Sequence, residues 1–134
     1  MGNGQEVNNT MPDNFCKQLI DIGFFIDSFY EDKYCFNNII IETRVAHNKV
    51  TIVRDRGIWE CRILVQKEEI PLVAVLNLLE GFTFDFEELT FSTEKQLYLW
   101  LVEHNAKIRS LSQHQLLTAK KQWNSIIKNR IKKT

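Results

Sequence analysis

The sequence predicts an α+β fold: an N-terminal helix, a three-stranded antiparallel meander that grows to four strands if residues 82–91 are extended, and three further helices packed on the sheet. Three observations carry this. Residues 36–65 read FNNIIIETRV, AHNK and VTIVRDRGIWECRILV, which is three apolar runs separated by two turn signals. Within them Ile39, Ile41, Thr43 and Val45 alternate with Ile40, Glu42 and Arg44, while Trp59, Cys61, Ile63 and Val65 alternate with Glu60, Arg62 and Leu64. That period of two marks half-buried strands. On either side the apolar spacing changes to three and four, as expected of helices that cover the meander's apolar face.

Residues 1–11 hold two glycines, three asparagines and no apolar period, so a mobile start is expected, followed by a single α+β domain over 12–134. Phe15, Leu19, Ile22, Ile26 and Phe29 recur at spacings of four and three, which predicts a helix from Pro12 to Tyr30 with Pro12 and Asp13 in its first turn. Gly23 then falls inside that helix, where close approach to the sheet would explain it. The meander begins near Cys35. Its middle run points Val50 and Ile52 one way and Thr51 and Val53 the other, with Asn48 and Gly57 as the residues that tolerate positive φ at the two bends.

The acids Glu68 and Glu69, then Pro71, lead into LVAVLNLL, and Gly81 follows it. Acids and proline at the beginning and glycine past the end suit a short helix. Its core face is Leu72, Val75, Leu76 and Leu79, and Val73 and Leu78 make it apolar almost all round, as in a helix wedged between layers. FTFDFEELTF alternates at Phe82, Phe84 and Phe86 and reads equally as an edge strand or an extended connector. The next helix starts at Ser92 or Thr93, puts Leu97, Leu101, His104 and Ile108 on one face and ends near Arg109. Ser112 with Gln115 forms a capping box and Leu111 with Leu116 a hydrophobic staple. The last helix turns Leu116, Ala119, Trp123 and Ile127 inward and lines up Lys121, Lys128 and Lys132 on another face.

With 134 residues, 44% of them apolar and 25% charged, the chain can bury a substantial core and is unlike a disordered one. No apolar run reaches the ~18 residues of a membrane span, and the start lacks a signal core, so a cytoplasmic protein without membrane contact is expected. Cys16, Cys35 and Cys61 are odd in number and without CxxC spacing, which argues for reduced, buried thiols and against disulfides or zinc. The net charge of zero conceals a polarised chain. Residues 1–106 hold nine Lys and Arg against all seventeen acids, and residues 107–134 hold eight basic residues and no acid. Such asymmetry suggests charged partners or internal pairing.

No catalytic motif is present: there is no GxSxG, Walker loop or dinucleotide fingerprint. His47, His104 and His114 form no i, i+4 pair and have no nearby Cys, so neither metal nor cofactor is expected. Glu80, Asp85, Glu87, Glu88 and Glu94 put five acids in fifteen residues with no base, which reads as an acidic surface rather than paired-carboxylate chemistry. Asp85, Glu87 and Glu88 are candidate contacts for a basic partner. Arg54, Asp55 and Arg56 form the second bend, read as a solvated hairpin end or as the charged rim of a binding face.

The segment FNNIIIETRVAHNKVTIVRDRGIWECRIL, with the leading helix and the closing helices, resembles small single-domain bacterial immunity factors that accompany secreted toxins. The resemblance spans roughly residues 12–80 and leaves the basic C-terminal helices aside. It implies a non-enzymatic protein-protein interaction module that neutralises a cognate protein toxin, and the acids would suit a basic nuclease. The alternative is a nucleic-acid-binding regulator that uses Lys121, Lys128 and Lys132 against phosphates.

Overall fold

The computed structural model describes residues 10–133, and the side chains of residues 14–130 within them. The mobile start expected of residues 1–11 falls mainly on residues 1–9, outside the described residues. The elements in order are α1 (Thr10–Asp21), β1 (Phe25–Asp32), β2 (Asn38–Val45), β3 (Asn48–Asp55), β4 (Ile58–Val65), β5 (Glu68–Pro71), α2 (Leu72–Leu79), a 3-10 turn (Phe86–Leu89), α3 (Glu94–Arg109) and α4 (Gln113–Lys133). The strands form one antiparallel sheet in sequence order, β1-β2-β3-β4-β5.

The α+β class and the alternation of the meander hold. Ile26, Thr43, Val50, Ile63 and Ile70 are paired neighbours across all five strands, and Phe29, Ile41, Ile52 and Cys61 form the next row. Ile41, Val50, Ile52, Cys61 and Ile63 are wholly buried in these rows. Each fully buried aliphatic side chain of this size contributes roughly 1.5–3 kcal/mol. Phe15 and Leu19 of α1, Leu72 and Val75 of α2, Leu97, Leu101 and Ile108 of α3 and Leu116 of α4 complete the same core. Phe15 meets Trp59 edge-on at 5.3 Å between ring centroids, which seats α1 on the sheet.

Five strands replace the expected three or four, and both additions come from stretches expected to be helical. The helix expected over 12–30 stops at Asp21, and β1 takes up its second half. Gly23, expected inside a helix, has φ +100. Phe24 N–H donates to Leu19 O and Gly23 N–H to Ile20 O, the paired bonds that close a helix around a left-handed residue. The spacing misled for a definite reason. Ile26 and Phe29, three apart, would lie on opposite faces of a regular strand, but a bulge at Asp27 shifts the phase so that they pair with the inward-facing Thr43 and Ile41. A bulged strand thus imitates a helical period.

Glu68, Glu69 and Pro71 belong to β5 rather than to a helix start. Ile70 pairs with Ile63 in the core, and Pro71 ends the strand and becomes the residue before α2. Residues 82–91 are not a strand: Phe84 and Phe86 both turn to Trp123, Leu89 is buried, and the 3-10 turn intervenes. One bridge remains, Trp59 to Phe91, with N–H to O distances of 2.8 and 2.7 Å. At the first bend Ala46, not Asn48, carries the positive φ, of 57°. Asn48 is buried in β3 and donates to Leu111 O at 3.5 Å. At the second bend Arg56 and Gly57 have φ of 55° and 83°, a turn whose twist suits a two-residue hairpin.

The starts of α3 and α4 are as expected. Thr93 Oγ1 accepts from Gln96 N–H at 3.1 Å. Ser112 and Gln115 exchange both bonds of the capping box, at 2.9 and 3.1 Å, with Leu111 and Leu116 buried beside them. α2 is buried on most of its circumference against β4, β5, the 3-10 turn and α4. Of the thiols expected to be buried, Cys61 is, Cys16 is half-buried and Cys35 is exposed in the turn after β1. Burial pushes the Cys61 thiol well above its ordinary value, which keeps it a small apolar group.

A side chain at position 23 meets both the positive φ and the Arg109 guanidinium, which lies against the glycine. Gly23→Ala is expected to destabilise the fold by about 1–2 kcal/mol in urea unfolding, through left-handed backbone strain alone, since Arg109 can swing away.

Candidate interaction surface

Because side chains alternate along each strand, the rows facing away from the core are as well defined as the core rows. Tyr30, Ile40, Val53 and Glu60 form one, Ser28, Glu42, Thr51 and Arg62 the next, and Phe25, Arg44 and Lys49 a third. Among the described residues no helix covers them. Tyr30 is 58% exposed, Ile40 42% and Ile58 45%, so one end of this face is apolar. Phe36, in the turn after β1, is also exposed and carries the Arg56 guanidinium 5.3 Å from its ring centroid.

The other end is charged, and its arginines are already paired with acids. Arg44 Nε lies 3.0 Å from both Asp27 carboxylate oxygens, with its guanidinium 4.2 Å from the Phe25 ring centroid. Arg62 meets Glu60 at 2.9 Å and Glu69 at 3.6 Å, and its hydrogen bond with Glu60 raises its pKa further. Ser28 Oγ donates to Glu42 and Thr51 Oγ1 to Glu69, at 2.8 and 3.0 Å. Between these side chains lies an open recess of about 470 Å³. Side chains held by such pairs lose less freedom on binding than free ones.

The six expected partner contacts occupy three environments. Arg54 belongs to the covered side: Nε donates to Asn37 O at 3.2 Å, Nη2 reaches the same oxygen, Glu31 lies 3.9 Å away and the Trp59 ring centroid 5.5 Å away. Its side chain is only 16% exposed, so it braces the turn after β1 instead of facing a partner. Near it, burial pushes the Glu94 carboxyl up while the Arg54 charge pulls it down, and Glu94 Oε1 is buried without a hydrogen bond. Asp55 and Arg56 are exposed at the hairpin tip, with Arg56 N–H donating to Asn38 Oδ1 at 2.9 Å.

Asp85, Glu87 and Glu88 are exposed on the 3-10 turn. Asp85 N–H donates to Glu88 Oε1 at 3.0 Å, and below the acids Phe84 and Phe86 pack on Trp123 with ring centroids 6.2 and 5.7 Å away. The Trp59–Phe91 bridge ties this segment to the first residues of β4, directly after the hairpin tip. The acidic turn and the exposed hairpin tip are therefore both anchored at one end of β4, while Arg54 points elsewhere. Sequence reasoning missed Tyr30, Phe36, Ile40 and Ile58. The signal was the unbroken triplet Ile39-Ile40-Ile41, which is too apolar for a strand with one solvated face.

Much of the basic C-terminal region is engaged within the molecule. Lys107 pairs with Glu80, Lys120 with Glu68 at 3.1 Å, and the Arg130 guanidinium lies 3.9 Å from the Phe86 ring centroid. Hydrogen bonds from Lys120 and Asn124 hold the Glu68 carboxyl below its ordinary value. Lys121 and Lys128 are exposed, and the Lys132 side chain lies outside the described residues. Trp123 stacks within the protein. His104 Nδ1 donates to Trp100 O at 2.9 Å, with its ring stacked on Trp100 at 4.5 Å between centroids.

Among the described residues no three His, Cys, Asp or Glu side chains gather where they could hold a metal ion, and no helix is long and apolar enough to cross a membrane. Compared with family models, curated proteins and solved structures, the chain has no match.

Because Arg54 is held inside and Arg56 outside, the two arginines of one turn should behave differently. Arg54→Ala is expected to cost about 1–3 kcal/mol in urea unfolding, since Glu31 and Asn37 O lose their partner. Arg56→Ala should stay within about 0.5 kcal/mol of the parent.

Proposed function

We propose that this chain is a non-enzymatic protein-protein interaction module, an immunity protein that binds and neutralises a cognate bacterial toxin. The observation that carries the reading is the uncovered sheet face, where Tyr30, Ile40 and Ile58 remain exposed beside charges already paired to one another. A contiguous apolar patch with a polar rim, on a sheet whose other side is packed by helices, is costly to expose unless a partner covers it. The resemblance of residues 12–80 to immunity factors points the same way.

Asp85, Glu87 and Glu88 supply the charge. They lie on a turn held by aromatic packing, and complementary charge speeds encounter and selects the partner, so a basic toxin such as a nuclease fits. The rival reading, a nucleic-acid-binding regulator, has less support: Lys107 and Lys120 are paired with acids, and Trp123 is stacked on Phe84 rather than free to stack on a base.

Co-expression with its cognate toxin domain, sought among the genes that neighbour its own, is expected to protect cells and to yield a purifiable complex; cells that die at the unprotected rate would overturn the reading. Within that complex, changing Asp85, Glu87 and Glu88 together to Lys should slow association by roughly tenfold or more at low salt. An unchanged on-rate takes these acids out of the interface.

A further inference from the structure

The two edges of the sheet are finished differently. On the β5 side the last strand has four residues and ends at Pro71, and the part of β4 that β5 leaves open is bridged by Phe91. Short edge strands, proline and covering segments are the usual ways to keep an edge from pairing with another chain. On the other side β1 runs for eight residues, and no described element pairs with its outer edge. Its protective features are the Asp27 bulge and the acids Asp27, Glu31 and Asp32, which repel an acidic strand but not a basic one. From Ser28 to Asp32 the register with β2 is continuous, without proline, glycine or lysine. A regular stretch therefore directs alternate backbone N–H and C=O groups outward, with Phe29 and Tyr30 exposed on its two faces.

We infer that β1 is a pairing edge, and that it receives an extended segment of a protein partner in which apolar residues alternate with Lys or Arg. This rests on the interaction-module reading above and specifies how the partner docks. The charge of the strand selects the occupant. Phe25–Asp32 carries Asp27, Glu31 and Asp32 and no base. In a second copy paired antiparallel about Phe29, Asp27 would stand opposite Glu31, and about the Phe29–Tyr30 bond opposite Asp32. Like charges directly opposite destabilise a strand pair, whereas a basic strand gains from them. Arg44 and Arg54 already offset Asp27 and Glu31 in part, so backbone bonds and contacts to Phe29 and Tyr30 carry the affinity, and the acids choose the partner and register.

The test uses the full chain, ¹⁵N-labelled, and three synthetic decapeptides: one alternating Lys with Val, one alternating Glu with Val, and the Lys-Val peptide N-methylated at every second residue so that one edge cannot donate. The lysine peptide is expected to slow hydrogen exchange at least tenfold at alternate amides within Ser28–Asp32, and the other two are expected to leave those amides unchanged. Equal binding of the N-methylated peptide would reduce the effect to surface charge and overturn the inference. So would the absence of β1 protection at millimolar peptide, or a concentration-dependent dimer protecting the same amides without peptide. A chain that neutralises its toxin but shows no β1 protection refutes this inference alone. One that shows protection but fails to rescue cells refutes the immunity reading alone.

Discussion

Five antiparallel strands can satisfy their backbone by pairing sideways, but their side chains still divide between two faces, and this chain has apolar groups on both. The helices bury one set: the rows through Thr43 and Ile41, with Phe15, Leu72, Leu97 and Leu116 set against them. Every other feature follows from that one-sided covering. α1 must end before Gly23 so that the chain can reverse and lay β1 on the edge. α2 must be apolar almost all round because it lies between the sheet and α4. The face left over is the only large surface on which Tyr30, Ile40, Val53 and Ile58 can be placed among the described residues, and they stay in contact with solvent.

The polar groups show how firmly that arrangement is held. Thr43, inside the core, donates its hydroxyl to Val50 O at 2.7 Å, so its burial leaves no unpaired donor. Arg54 is nearly enclosed and is bound to a backbone carbonyl, a carboxylate and an aromatic face at once. On the open side Arg44 is bound to an acid of the neighbouring strand and Arg62 to one acid of its own strand and one of the next, which gives a surface that is charged in detail and nearly balanced in sum. The contrast with the 3-10 turn is physical. Among the described residues none of its three acids forms an ion pair, while their turn is fixed from below by Trp123, so the field they project is both unbalanced and stationary.

The polarised charge of the sequence has two fates in the fold. Part is cancelled internally, where Lys107 meets Glu80 and Lys120 meets Glu68, contacts that join segments 27 and 52 residues apart. Exposed pairs of this kind add little to stability, so they orient α3 and α4 rather than hold them. The remainder stays at the surface, as acids on the turn before α3 and as Lys121 and Lys128 on α4.

The local grammar of the chain determined much of this by itself. The alternation in 39–45 and 59–65, the Thr93 cap, the Ser112–Gln115 box and the all-round apolar α2 were legible because each depends on residues within one turn of helix or one pair of strands. What only the tertiary structure decided depends on neighbours far along the chain. β1 was hidden because a bulge at Asp27 aligns Ile26 with Phe29, and whether that spacing means helix or strand is settled by pairing with Thr43 and Ile41, fifteen or so residues away. β5 looked like the start of a helix until Ile70 found Ile63. The inward turn of Arg54 and the exposure of Ile40 were undetermined for the same reason: a side chain's surroundings are made by elements the sequence places elsewhere, and burial is a property of the assembled layers rather than of any one strand.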